Sequence, residues 1–353
     1  MLGNPAQIDR ISAAIDRSFE LNDLPGLAVS VGLGPDITVD RVYGFSDYQE
    51  KDPLEVDAVF HCASISKLFV ATAVMILIES GRLDMDDLLL PALPWFRPAD
   101  AGYGRVTIGM LMSHTAGIVD VEDYHWRDGE KDAASLKKYL KSSEVAGKPL
   151  RGAPGFSYSN VGYELLGAVI AELTGMTFEE ALKELIFKKL GMADSTFLTF
   201  LRPQARLVRP HEKDPDRNIR RLDYYPYTRQ HAPSSTLTST TSDLRKFADA
   251  FMSRDPALLS ESSYEAMWRP VADVTDKGAY GPAMGLGWFI RDWNGVKLYG
   301  HDGSDDGFRT SFWLCPEYDL RMIALANITE ANMKNIIQSV YNEVIDTTID
   351  PVQ

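Results

Sequence analysis

The sequence predicts an α/β (α+β) chain: one antiparallel five-stranded sheet, flanked by terminal helices, with an all-helical segment inserted into it. Three observations predict it. β-type runs cluster near both ends of the chain. Segments of helical period precede the first runs and follow the last. The long stretch between them carries mostly helical signals. The first two runs and the last three are expected to share one sheet, packed on the terminal helices, because a sheet must bury its apolar face against another layer. The expected division is a discontinuous sheet domain, residues 1–62 and 278–353, and a mostly helical domain, residues 63–277, with a cleft at the seam.

Ile8, Ile11, Ile15 and Phe19 recur at helical spacing over residues 5–21, and Pro25-Gly26 breaks the run. LAVSVGL (27–33) and ITVDRVYGF (37–45) flank Gly34-Pro35-Asp36 and read as a hairpin. HCASISKLFVATAVMILIESGRLDM (61–85) follows. It is apolar on nearly every side from Leu68 to Ile78, and Gly81 stops it. Such a helix belongs in a protein interior or a membrane, and this one is too short and too polar at its start to span a bilayer. A short apolar helix is expected over 107–113 and a polar surface helix over 133–143. Amphipathic helices are expected over 161–173, 178–190 and 242–252, the last with Ser242 as its cap. Residues 202–229 hold seven arginines and four prolines and read as a solvated loop, its charge offset by Glu212, Asp214, Asp216 and Asp223, with a substrate-lining loop as the alternative. Short β-runs at 286–291, 297–300, 310–315 and 320–326 lead to a closing helix over 332–345.

Composition excludes several function classes. Of 353 residues, 45% are hydrophobic and 24% charged, which is globular rather than disordered. A net charge of −14 disfavours nucleic acid and anionic lipid as partners. Six histidines show no metal-ligand spacing and there is no glycine-rich phosphate loop, so neither metal nor cofactor is expected. Cys62 and Cys315 read as two core thiols. The amino-terminal MLGNPAQIDRIS has no basic region ahead of an apolar core. The expectation is a cytoplasmic protein, or a secreted or periplasmic one where a signal peptide has been removed.

The chemistry concentrates in three places. Ser64 lies three residues before Lys67 at the mouth of the buried helix, so hydroxyl and amine can meet. Burial lowers a lysine pKa, and a lysine poised near neutrality can take a serine proton. Free N–H groups at a helix start suit a developing oxyanion. The pairing alone is weak, since Ser135 and Lys138 match it on a polar helix. Tyr158-Ser159-Asn160 is the second element: a phenol can relay a proton, and an amide can orient both the lysine and a substrate carbonyl. The third is Gly300-His301-Asp302-Gly303-Ser304-Asp305-Asp306-Gly307, whose glycines permit close backbone approach and which taken alone reads as a solvated turn.

In this order the three elements resemble the serine beta-lactamase and penicillin-binding-protein superfamily. More narrowly they resemble its class C beta-lactamase-related serine hydrolases, which include esterases, D-stereospecific peptidases and amidases. The resemblance runs from about residue 25 to 326 and takes in LMSHTAG (111–117) and Gly285-Leu286-Gly287-Trp288. It implies a beta-lactamase/transpeptidase-like fold. It makes Ser64 the acylated nucleophile, Lys67 its base partner, Tyr158 the proton relay and Asn160 the substrate-amide anchor. His301 and Gly303 then hold the third-motif position, and the N–H groups of Ser64 and Ser304 form an oxyanion hole. The implied substrates are small esters, amides or D-amino-acid peptides. A class C-type beta-lactamase, a D-Ala-D-Ala carboxypeptidase, a non-turnover penicillin sensor and a transacylase are the alternatives. Oligomeric state is not legible. His301 stands where the family pattern has lysine, and Asp302, Asp305 and Asp306 add negative charge. From these the cleft is expected to repel carboxylates and to take neutral esters or ammonium-bearing substrates.

Overall fold

The computed structural model describes residues 5–152, 155–274 and 281–345. The expected boundary at 277/278, and Pro154 ahead of the second motif, lie outside them. In chain order the strands are β1 (Gly26–Leu33), β2 (Ile37–Asp47), β3 (Asp52–Pro53), β4 (Phe60–His61), β5 (His211–Lys213), β6 (Ile219–Arg221), β7 (Thr238–Ser239), β8 (Ala272–Asp273), β9 (Ala283–Met284), β10 (Phe289–Trp293), β11 (Val296–Asp305), β12 (Phe308–Cys315) and β13 (Leu320–Ala326). Among the described residues the main sheet runs β3-β2-β1-β13-β12-β11-β10-β9-β8, antiparallel throughout. It thus has nine strands, not five. The expected five sit contiguous at its centre, and the additions include two-residue strands too short to show a period of two.

β1 is buried along its whole length because both sheet faces are covered. Leu27, Val29, Val31 and Leu33 face a cluster formed with α1 (Pro5–Asn22) and the closing helix Met333–Ile345. Ala28, with Ile323 and Leu325 of β13, faces the helical part. There α2 (Ser66–Glu79) is apolar all round because it is enclosed on every side. Phe69 stacks on Phe247 at 4.1 Å, and burying a side chain of that size contributes about 2 kcal/mol. Cys62 and Cys315 are both free and buried. No single helix among the described residues is long and apolar enough to cross a membrane.

Three local expectations are corrected. The helix expected at 242–252 is Thr241–Ser253, and its cap is Thr240, whose hydroxyl accepts from the Asp243 N–H; Ser242 lies inside the first turn. The loop at 202–229 contains a small ribbon, β5 with β6. The third motif is strand, not a solvated turn. β11 continues to Asp305 and pairs it with Phe308, so the reversal is only Asp306-Gly307, with Gly307 at φ 79°. The earlier glycines are in the strand because neighbouring backbone presses on them. A Cβ at Gly300 would lie 2.0 Å from the Phe312 carbonyl oxygen.

Candidate active site

Ser64 lies in a single 3₁₀ turn, Ala63–Ile65, that feeds directly into α2. Ala63 is held at φ +48°, a left-handed conformation that costs a non-glycine residue on the order of 1 kcal/mol and persists only when its surroundings enforce it. Four hydrogen bonds do so. The Cys62 N–H donates to the Leu237 carbonyl at 2.8 Å, and Thr310 Oγ1 donates to the Cys62 carbonyl at 2.9 Å. Ser66 Oγ donates to the Ala63 carbonyl and accepts from the Leu237 N–H.

The turn brings Ser64 against Lys67 and Tyr158. Lys67 Nζ donates to Ser64 Oγ at 2.9 Å, and Tyr158 OH donates to the same oxygen at 3.0 Å. Lys67 is fully buried and also donates to the Ser234 carbonyl at 2.8 Å. Burial pulls its pKa down from 10.5 to about 7, against the opposing charges of Asp305, Asp120 and Glu164. An amine at that value can both accept and return a proton at neutral pH. Ser135 and Lys138 share the spacing but not the geometry. Ser135 Oγ donates to the Asp132 carbonyl, and Lys138 pairs with the Asp132 carboxylate at the surface.

Tyr158 is fixed by His114, a residue at φ +55° whose ring stacks on the phenol at 4.4 Å. His114 Nδ1 accepts from the Ser159 N–H at 3.1 Å, and burial keeps the ring neutral by holding its pKa well below 6.5. Asn160 opens the helix Asn160–Thr174. Its Nδ2 donates to Asp120 Oδ2 at 2.8 Å and contacts Tyr124 OH, while Asp120 Oδ1 accepts the N–H groups of Asn160 and Val161. The lysine is tied to Ser234 rather than to this amide, and Asn160 Oδ1 has no hydrogen-bond partner among the described residues.

β10 pairs β11 only as far as Gly300, so the edge of β11 beyond it lies open to the Ser64 turn. Gly303 sits there. A Cβ on it would stand 2.5 Å from the Cys62 carbonyl oxygen and 3.0 Å from Ala63 Cβ. Gly303→Ala is therefore expected to push the turn out of place and slow Ser64 acylation about 100-fold, since a 1 Å error at a reacting group costs that much. Acylation timed by intact mass, beside a melting curve, checks it.

His301 faces the site beside Phe289 and Tyr158, with ring centroids at 4.9 and 6.1 Å. Its Nδ1–H donates to the Asp302 carbonyl, which leaves Nε2 as an acceptor. Burial, then Lys67, pulls its pKa down to about 3, so it carries no charge near pH 7. Each of the three aspartates is held by hydrogen bonds, and of the three only Asp305 acts on Lys67 through its charge. Asp302 points to the other face of the sheet, where Arg291, Ser311 and Trp313 bind it. Asp305 Oδ2 meets His61 Nε2 at 2.7 Å, and Asp306 accepts from Tyr224. Ser304 follows on β11, paired with Arg309.

Sequence reading passed over Asp120, Tyr124, Glu164, His231, Ser234 and Thr310. Of the remaining site residues, His114 lay in a segment already marked by the resemblance. Among the described residues no cluster of histidine, cysteine and carboxylate side chains could hold a metal ion.

A family described as Beta-lactamase matches residues 12–342. Penicillin-binding protein 4 of Amycolatopsis lactamdurans is 32% identical over 262 residues, covering 71% of this chain and 67% of that protein. Esterase EstB of Burkholderia gladioli is 30% identical over 218 residues, covering 59% of this chain and 55% of that one. The chain thus spans about two thirds or less of these relatives. Among solved structures, D-amino acid amidase from Ochrobactrum anthropi SV3, complexed with D-phenylalanine, superposes with a TM-score of 0.83 at 21% identity, covering 97% of this chain and 100% of that one. The octameric penicillin-binding protein homologue from Pyrococcus abyssi gives 0.83 at 22% identity, covering 97% of this chain and 78% of that one. At these identities the structural likeness speaks for the fold.

Proposed function

We propose that this chain, which belongs to the beta-lactamase family, is a serine hydrolase that acts through an acyl-enzyme on small neutral esters or amides, including D-amino-acid derivatives. The observation that carries the reading is the convergence of Lys67 Nζ and Tyr158 OH on Ser64 Oγ. In the forward step Ser64 Oγ attacks the substrate carbonyl carbon while its proton passes to neutral Lys67. The N–H groups of Ser64 and Ser304 receive the oxyanion. The proton returns through Tyr158 to the leaving alkoxide or amine as the carbonyl–heteroatom bond breaks. Water then attacks the acyl-enzyme, and Ser64 takes its proton back.

Substrate choice follows from His301. A lysine there would hold a cation for the carboxylate of a beta-lactam or a peptide C-terminus, and a buried neutral imidazole offers none. Asp302 and Asp306 are bound away from Ser64, while the charge of Asp305 reaches Lys67 and adds to the disfavour toward carboxylates. A chromogenic neutral ester and a D-amino-acid anilide are expected to turn over faster than a cephalosporin. A cephalosporin turned over best would sink this preference. Acylation should rise with pH with a midpoint near 7, as Lys67 loses its proton. Intact mass followed over time separates turnover from a sensor, which would keep its adduct.

A further inference from the structure

Behind Lys67 lies a buried carboxylate that the chemistry above does not use. Glu164 is on the Asn160–Thr174 helix, one turn after Asn160, and is fully buried. Its Oε1 accepts from Ser234 Oγ at 3.1 Å and meets His231 Nδ1 at 2.5 Å. Ser234 is also the residue whose carbonyl receives Lys67 Nζ. One residue therefore links the carboxylate to the amine. His231 is fully buried too, with the rings of Tyr124, Trp126 and Tyr139 around it at 4.8, 5.5 and 4.8 Å. Tyr124 in turn contacts Asp120 and Asn160. A carboxylate in such a place costs several kcal/mol of desolvation, and an apolar residue of similar volume would avoid that cost.

We propose that Glu164 is a positioning residue for the reaction: with His231 as its donor, it sets its carboxylate behind Lys67 and holds the amine in place through Ser234. The inference rests on the acylation reading above. Lys67 is faced by Asp305 of β11, by Asp120, by Glu164, by the imidazoles of His114 and His301, and by the phenols of Tyr158 and Tyr163. Glu164 is faced by His231 and Ser234, and its charge also reaches Tyr124 and Tyr139, whose rings pack on His231. Asp305 is engaged by His61, and Asp120 by the start of the helix. Glu164 alone of the three shares a residue with the acceptor of Lys67.

The sign of the effect separates this role from a structural one. Removing a negative charge near an amine makes its proton easier to lose. Glu164→Gln should move the acid-limb midpoint of Ser64 acylation down, by a shift resolvable on a pH 5–9 profile. Below that limb the variant then acylates faster than the parent, by the factor that the midpoint shift sets. Glu164→Asp, which keeps the charge, should move the midpoint less. The probe is p-nitrophenyl acetate, with the acyl adduct read by intact mass from pH 5 to 9. A merely structural role would lower the plateau and leave the midpoint in place. A folded Glu164→Gln whose midpoint is unmoved or raised overturns the proposal. Should that variant not fold, the double change Glu164→Leu with His231→Phe replaces the pair by apolar groups of similar volume, a kind of exchange often tolerated. The same fall is expected of it, and its absence has the same consequence. A parent protein that gives no Ser64 adduct at any pH overturns the acylation reading instead, so the two failures are told apart.

Discussion

Ser64→Ala abolishes both the acyl adduct and turnover, with a rate loss of at least about 10⁴-fold, as expected when the nucleophile of a unit acting together is removed. The fold should survive. The Ser64 turn is held by backbone groups and by Ser66 and Thr310, and none of those bonds uses the Ser64 hydroxyl. Lys67 keeps the Ser234 carbonyl as an acceptor. The variant should therefore melt within a few degrees of the parent, a change on the order of 1 kcal/mol for the lost neutral hydrogen bond. Ser135→Ala is the control, because it has the same spacing to a lysine and no access to the site. It should leave acylation unchanged. Incubation with an activated ester followed by intact mass reads all three proteins. Persistent labelling of Ser64→Ala would overturn the assignment of the nucleophile and, with it, the acyl-enzyme.

The sheet could be read from the sequence wherever a strand was long enough to carry its own signal. The centre, from β2 through β1 and β13 to β11, shows runs of four or more β-type residues. β3, β8 and β9 hold two residues each and are set by pairing with a neighbour, which leaves no mark in the local pattern. The third motif misled for a related reason. Gly300, Gly303 and Gly307 read alike as turn formers, yet only Gly307 sits at a reversal. The other two are glycine because a carbonyl or a neighbouring turn stands where a Cβ would be. At the site, the residues that touch Ser64 follow short spacings or recur as motifs. Those that fix these residues in turn, Asp120, Ser234 and Thr310, are brought in from distant parts of the chain. A polar residue contributed across the fold has no spacing to betray it.

Lys67→Met carries the largest coupled effect on rate and stability. Methionine matches the length of the lysine stem and brings no charge. Loss of the proton acceptor should slow acylation by about 10³-fold, within the range for general base catalysis. Stability should move the other way as pH falls. The pKa of Lys67 is about 7 in the folded protein and 10.5 in its ordinary state. Between those values the unfolded chain binds a proton that the folded one does not. Parent stability therefore rises with pH across that window. Above 10.5 neither state carries the proton and the burial penalty vanishes; below 7 both carry it and the penalty is at its full size, on the order of several kcal/mol. Methionine cannot titrate, so its stability relative to the parent should grow as pH is lowered from 10.5 to 7 and level off beneath. The bonds lost at Ser64 and the Ser234 carbonyl shift this difference by a constant of about 1–3 kcal/mol and leave its slope untouched. Other titrating groups act in both proteins and cancel. Denaturant unfolding of the pair at pH 7, 8, 9 and 10 measures the slope. A flat difference would mean that Lys67 keeps an ordinary pKa inside the fold, and an amine charged at neutral pH could not take the serine proton.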